Sequence, residues 1–106
     1  MSTARAQIVS SCIFVLFLLA LSACGSPPAG NVENGEKWFK MNNCNSCHGE
    51  NGSGGRGPSI AGINMGFGSF VNKLRKKDAA IMPPFPESKV SEQDAADIYA
   101  FLKSGK

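Results

Sequence analysis

Three reactive side chains lie close together in Cys44-Asn45-Ser46-Cys47-His48 and could act on one cofactor. Each thiol can add across one vinyl group of a haem and form a thioether bond. The imidazole that follows at once would then lie under the iron as an axial ligand. The C-x-x-C-H spacing of Cys44, Cys47 and His48 is the attachment signature of c-type haem. We therefore predict one covalently bound haem c, with its iron, at these residues.

Other functions of a C-x-x-C pair have less support in this sequence. A thioredoxin-type redox centre needs a βαβ setting, and no segment alternates with period two for long enough to predict a strand. A structural zinc ion takes four Cys or His ligands. Because Cys12 belongs to the predicted signal peptide and Cys24 is the predicted lipidation site, only Cys44, Cys47 and His48 are available, and they are too contiguous to surround one ion.

The second axial ligand should be a methionine, because His48 is the only histidine in the chain. A thioether sulfur is a common partner of histidine on haem iron. Met82 precedes two prolines, which hold it out of α conformation and present its side chain on a stiff backbone. We predict Met82 as the ligand. Met65, in a Gly-rich loop, and an open sixth position are the alternatives, whereas Met41 is expected to pack in the core.

Residues 1–23 have the pattern of a targeting segment. Arg5 precedes a mostly apolar run over residues 8–21, and a charged start, a short apolar run and small residues are typical of a secretory signal. The run is shorter than the roughly 20 residues that span a bilayer, so a retained anchor helix is the alternative. The four residues Leu-Ser-Ala-Cys that end at Cys24 resemble a bacterial lipobox and predict a lipid on Cys24. A chance cysteine in an ordinary exported protein is the alternative.

The chain of 106 residues is predicted to contain one folded domain. We expect a lipoprotein signal peptide over residues 1–23, a lipid-anchored flexible tether over 24–31 and the domain over 32–106. The tether is short, Pro-rich and uncharged, which is typical of an unfolded spacer. The formal net charge of +3 is small and no nucleic-acid motif is present, so nucleic acid is not an expected partner. The expected location is a bacterial membrane surface, with the domain facing the periplasm or the outside.

Periodicity predicts an all-α domain. The first helix should begin at Asn31 and end near residues 42–43, and the last should begin after Ser91 and stop at Gly105. A short helix is predicted over residues 69–77. The Gly-rich loop over residues 50–68 is expected to wrap closely around the cofactor.

Four cations lie on the polar face of that short predicted helix and could steer an acidic partner toward the haem. A solvated helix face without this function is the alternative. The four are Lys73, Arg75, Lys76 and Lys77.

Several stretches match a known family pattern: Gly35 and Phe39, the haem motif, Gly57-Pro58-Ser59-Ile60-Ala61-Gly62, Met82-Pro83-Pro84-Phe85, Ile98 and Ala100-Phe101-Leu102-Lys103. From about Gly35 to Ser104 the sequence thereby resembles small bacterial class I monohaem cytochromes c. The resemblance implies three to four helices around one haem, with Gly35 and Phe39 meeting Ile98 and Phe101 where the first and last helices cross. It also implies that the Pro58 carbonyl accepts a hydrogen bond from His48 and so belongs to the haem site.

One departure from the family pattern concerns the spacing before the motif. Phe39 lies five residues before Cys44, whereas the family more often has four. The departure predicts either a local bulge or the substitution of Trp38 for Phe39.

The resemblance and the ligand set together imply an electron carrier rather than an enzyme. Iron with two protein ligands has no open position, so no small-molecule substrate is expected. The expected function is one-electron transfer by a membrane-tethered cytochrome with His/Met-ligated haem, in an exported respiratory or electron-export chain, with redox proteins at the membrane as partners. The alternatives are a fixed haem subunit of a membrane redox complex, and a haem sensor or enzyme with an open sixth site.

Overall fold

The computed structural model describes residues 27–77 and 81–105. These residues form four helices and no strand: α1 (Val32–Met41), α2 (Cys44–His48), α3 (Phe67–Arg75) and α4 (Glu92–Ser104). The predicted all-α fold is confirmed. The predicted signal peptide and the lipidation site Cys24 lie outside the described residues. Within the described ranges, none of the helices has the length and apolar character that crossing a membrane requires.

The ends of α1 and α4 follow local side-chain chemistry, as predicted. The Asn31 side chain accepts a hydrogen bond from the Asn34 N–H at 2.8 Å and so caps α1. Ser91 and Asp94 form a reciprocal capping box at the start of α4, with bonds of 3.0 and 3.2 Å. Gly105 follows α4 with φ of +67°, a left-handed conformation that favours glycine.

Helix α3 begins two residues earlier and ends two residues earlier than predicted. The Phe67 ring packs edge-on against Tyr99 of α4, with ring centroids 5.6 Å apart, and this contact fixes the first turn of α3. Lys76 has an extended backbone (φ −100°, ψ 142°), which ends the helix at Arg75. Lys76 and Lys77 therefore follow α3 instead of forming its last turn.

Helices α1 and α4 cross in close contact at Gly35, as the resemblance implied. A Cβ atom on Gly35 would lie 1.9 Å from the Asp97 carbonyl oxygen and 2.8 Å from the Cβ of Phe101. The Phe39 and Phe101 rings pack beside this crossing with centroids 5.5 Å apart. Both rings are almost fully buried, and Ile98 belongs to the same core.

The extra residue between Phe39 and Cys44 is accommodated by a local bulge. Asn43 takes up the left-handed conformation (φ 57°, ψ 25°) between α1 and α2. Phe39 is therefore the residue in the core, and Trp38 is only half-buried. Of the two predicted alternatives the bulge is therefore correct. The left-handed turn at Asn43 accommodates the added residue, and Phe39 keeps its place in the core.

A buried carboxylate, Asp97, joins the start of the domain to α4. One of its oxygens accepts hydrogen bonds from the Asn31 N–H (2.8 Å) and the Gln93 amide (3.1 Å). The other accepts from the Trp38 indole N–H at 3.3 Å. Gln93 also donates to the Ala29 carbonyl at 2.8 Å. Contacts with α4 thus extend to residue 29, before the predicted domain boundary at residue 32, because α4 offers polar partners to the chain entering α1.

We expect Asp97→Ala to lower the free energy of unfolding by about 2 kcal/mol or more, because three partly buried donors, on Asn31, Trp38 and Gln93, lose their charged acceptor. The measurement is urea unfolding of the haem-loaded protein at neutral pH. Glu87→Ala, which removes an exposed carboxylate, is the matched control and should change stability by less than about 0.5 kcal/mol. Equal stability of the two variants would contradict the role of Asp97.

Candidate functional site

Helix α2 brings two of the three motif side chains to one cavity. Cys44 and His48 are its first and last residues, so they lie on the same face, four positions apart. Both line the cavity. Cys47 adjoins them on α2 without lining the cavity, and its sulfur lies 3.9 Å from the Ser46 hydroxyl.

The environment of Cys44 keeps its side chain uncharged. Burial, with a smaller contribution from the neighbouring Cys47 sulfur, raises the pKa of the Cys44 thiol to about 11. At neutral pH the free side chain is therefore a neutral thiol. A neutral sulfur is compatible with the apolar wall in which it lies.

The ring of His48 is held in one tautomer. Its Nδ1–H donates a hydrogen bond to the Pro58 carbonyl oxygen at 2.8 Å. Because a carbonyl oxygen can only accept, the proton stays on Nδ1 and the Nε2 lone pair remains available to a metal. His48 is also buried. The predicted contact between Pro58 and His48 is confirmed, and the role of both in holding haem iron stays a prediction.

The Gly-rich loop packs against the motif itself and also lines the cavity. The Gly57 N–H donates to the Cys47 carbonyl at 2.6 Å. A Cβ atom on Gly55 would lie 2.2 Å from that oxygen. Glycine is required there because the Cys47 backbone occupies the space. That the loop wraps closely around the cofactor stays a prediction; the loop residues that line the cavity are Pro58, Ile60, Ile63 and Met65.

The cavity has the lining that a large flat apolar group needs. Its empty space, including the open mouth, is about 800 Å³. Apart from the sulfur and nitrogen donors and Lys73, its lining is apolar: Phe39, Pro58, Ile60, Ile63, Phe70, Leu74, Phe85, Val90, Ile98 and Leu102. Thiols for attachment, a metal-binding nitrogen and an apolar wall together fit a haem.

Two of the three methionines in the part of the chain that the structure describes line this cavity. Met82 and Met65 both line it, so the lining of the cavity does not distinguish the predicted ligand from its alternative. Met82 is half-buried, whereas Met65 is 37% exposed and its carbonyl accepts a hydrogen bond from the Tyr99 hydroxyl at 2.8 Å. The expectation that Met41 packs in the core is wrong, since it is 62% exposed. Met41 lies two residues after buried Phe39 and so faces the opposite side of α1.

Arg75 does not belong to the predicted cationic surface. It is half-buried, and its Nη1 donates to the carbonyl oxygens of Phe85 (2.9 Å) and Val90 (2.6 Å). This contact has no signal in the sequence, because spacing alone places Arg75 on the polar face of α3. Lys73, Lys76 and Lys77 are exposed.

A family model described as cytochrome c oxidase, cbb3-type, subunit III matches residues 30–102. The chain belongs to this family. Its domain is a c-type cytochrome domain, so the protein binds covalently attached haem c and is a haem-based electron carrier rather than an enzyme. Such a carrier exchanges electrons with redox partner proteins. No curated protein and no solved structure matches the chain significantly.

Proposed function

We propose that the protein is a membrane-tethered one-electron carrier whose haem iron is held by His48 and Met82, in an exported respiratory or electron-export chain. One observation carries the proposal. A single apolar cavity is lined by Cys44, His48 and Met82, and the Pro58 carbonyl orients the His48 ring for metal binding. When bound, haem supplies an iron that alternates between the ferric and ferrous states.

The surrounding residues suit reversible transfer better than bond-making chemistry. His48 and Met82 come from separate parts of the chain, so together they can occupy both axial positions and leave none for a substrate. The apolar lining limits the access of water to the site and so influences the reduction potential of a bound iron. Thioether bonds from Cys44 and Cys47 would retain the cofactor in either redox state.

The proposal is tested by an optical redox titration of the purified haem-loaded protein. We expect one reversible transition that fits a single electron, a far-red ferric band typical of methionine ligation, and little carbon monoxide binding by the ferrous form. Ready carbon monoxide binding together with absence of the far-red band would instead support the sensor or enzyme alternative.

The membrane tether is inferred from the lipobox pattern at Cys24. Because Ala29 and Asn31 already contact α4, the spacer that remains between Cys24 and the domain is residues 25–28. Fully extended, it would span about 12 Å, at roughly 3 Å per residue. Such a short spacer would hold the domain close to the membrane surface.

We expect Cys24→Ser to abolish incorporation of an alkyne-tagged fatty acid, because the substitution removes the thiol that would carry the lipid. The measurement is in-gel detection of the tag after expression in a bacterium that exports lipoproteins. Cys12→Ser, which removes a cysteine of the predicted signal peptide, is the matched control and should keep the label. An unlabelled wild-type protein, or a labelled Cys24→Ser variant, would refute the lipid anchor.

A fixed haem subunit of a membrane redox complex is the second candidate, and the family description favours it, since it names an oxidase subunit. Purification in mild detergent separates the two candidates. A free carrier would elute alone, whereas a fixed subunit would elute with stoichiometric membrane partners.

An exposed cluster of Lys73, Lys76 and Lys77 could steer an acidic redox partner. We expect Lys76→Gln/Lys77→Gln to slow bimolecular electron transfer to an acidic acceptor by about threefold or more at low ionic strength, with the difference disappearing as salt screens the charges. Stopped-flow rates across a salt series measure this effect. Identical salt dependence in variant and wild type would leave the cluster as an ordinary solvated surface.

A further inference from the structure

The segment that carries Met82 is bound to the end of α3 at three points. The Phe85 N–H donates to the Leu74 carbonyl at 2.6 Å. The Arg75 guanidinium donates to the Phe85 carbonyl at 2.9 Å and to the Val90 carbonyl at 2.6 Å. Arg75 thus contacts both ends of residues 85–90, and Phe85 lies only three positions after Met82.

This segment has few backbone donors of its own. Pro83, Pro84 and Pro86 lack an N–H group, so the segment cannot be held by a regular ladder of backbone hydrogen bonds. The carbonyl oxygens of Phe85 and Val90 belong to buried residues and therefore need donors. A guanidinium supplies two N–H groups from one rigid nitrogen, and hydrogen bonds from a charged donor are stronger than neutral ones.

The prolines between Met82 and Phe85 also make the position of Met82 depend on the position of Phe85. Pro83 and Pro84 fix their φ angles and leave little freedom between Met82 and Phe85. The buried Phe85 ring packs in the core and is covered by the Lys89 ammonium at 5.2 Å. Fixing the carbonyl of Phe85 therefore fixes the approach of the Met82 side chain to the cavity.

We propose that Arg75 is a positioning residue for the axial ligand: by holding the Phe85 and Val90 carbonyls, it keeps the Met82 sulfur over the iron. This inference rests on the proposed ligation by Met82. Removing the guanidinium should leave haem attachment intact, because Cys44 and Cys47 lie on α2. It should make the Met82 sulfur easier to displace from the iron by an external ligand.

The experiment titrates the ferric haem-loaded protein with imidazole and follows the loss of the far-red methionine band. We expect Arg75→Gln to be half-displaced at an imidazole concentration about tenfold below that of wild type, equivalent to about 1.4 kcal/mol. The half-displacement concentration of Arg75→Lys should fall between those of Arg75→Gln and wild type. Lysine keeps a charged donor, but its shorter side chain lacks the planar guanidinium that donates two N–H groups from one nitrogen.

Two controls separate positioning from charge and from general stability. Lys76→Gln removes an equal charge from the neighbouring exposed position. Asp97→Ala destabilises the domain at the α1–α4 crossing, at a residue that does not line the cavity. Both should require the same imidazole concentration as wild type.

The outcomes are distinguishable. Wild-type displacement values for Arg75→Gln and Arg75→Lys, or an equal weakening in Asp97→Ala, would overturn the role of Arg75. If Arg75→Gln does not accumulate with haem, Arg75→Lys alone decides, and a wild-type value for it overturns the proposal. A wild-type protein without the far-red band, or a Met82→Ala variant that keeps it, would instead refute the ligation on which the inference rests.

Discussion

Replacing Met82 with alanine is expected to abolish the far-red ferric band and to let the ferrous protein bind carbon monoxide. Alanine has no sulfur, so the iron would lose the ligand that stabilises its ferrous state relative to the ferric state. The reduction potential should fall by more than about 0.1 V, a modest part of the roughly 0.8 V over which axial ligands set haem potentials. Spectra of both redox states and a potentiometric titration measure these changes.

Met65→Ala is the matched control. Met65 lines the same cavity, and the substitution removes an equivalent side chain. It should keep the far-red band and a potential close to that of wild type. The reverse pattern, with the band lost in Met65→Ala and kept in Met82→Ala, would assign the ligand to Met65. Loss in neither variant would mean that a different group binds the iron.

Gly35→Ala should lower the free energy of unfolding by about 3 kcal/mol or more, the upper end of the cost of overpacking. The added methyl would lie 1.9 Å from the Asp97 carbonyl oxygen, so α1 and α4 would have to move apart. This cost exceeds the gain of about 1 kcal/mol that alanine ordinarily brings to a helix. Thermal and urea unfolding of the holoprotein measure the difference.

Gly68→Ala gives the same substitution in α3, where a Cβ atom would meet nothing within 4 Å. Its stability should stay unchanged or rise by up to about 1 kcal/mol. Similar losses in both variants would mean that the close crossing at Gly35 does not limit stability.

Local sequence features predicted much of this fold. The caps at Asn31 and Ser91 and the stop at Gly105 depend on neighbouring residues alone, and each was found where its side chain or φ angle requires it. The crossing at Gly35 was implied by the family resemblance, and it agrees with the cost of a glycine inside a helix, which is offset where another backbone passes close to it. The His48–Pro58 contact came from the family resemblance rather than from local chemistry.

Features that depend on packing between distant segments could not be read in this way. Arg75 has the spacing of a surface residue, and only the arrival of residues 85–90 beside α3 gives it partners. Asp97 was not singled out, although an acidic residue between Ala96 and Ile98 on a buried face is a usable signal. Met41 was misplaced because an apolar side chain near a helix end can face either side.

The residues of the haem site differ in how directly the sequence predicts them. Cys44, Cys47 and His48 follow from a contiguous motif, which needs no knowledge of tertiary structure. The choice between Met82 and Met65 depends on where two loops meet the cavity, and both meet it. Which of the two sulfurs binds the iron is therefore decided by the Met82→Ala and Met65→Ala spectra.

The most direct test of the central claim is the intact mass of the haem-loaded protein after acid–acetone extraction, which removes haem that is not covalently bound. We predict a polypeptide that retains the mass of one haem, with Cys44→Ser/Cys47→Ser losing that mass entirely. A wild-type polypeptide without added haem mass after extraction would contradict a covalently attached haem c and the electron-transfer function based on it.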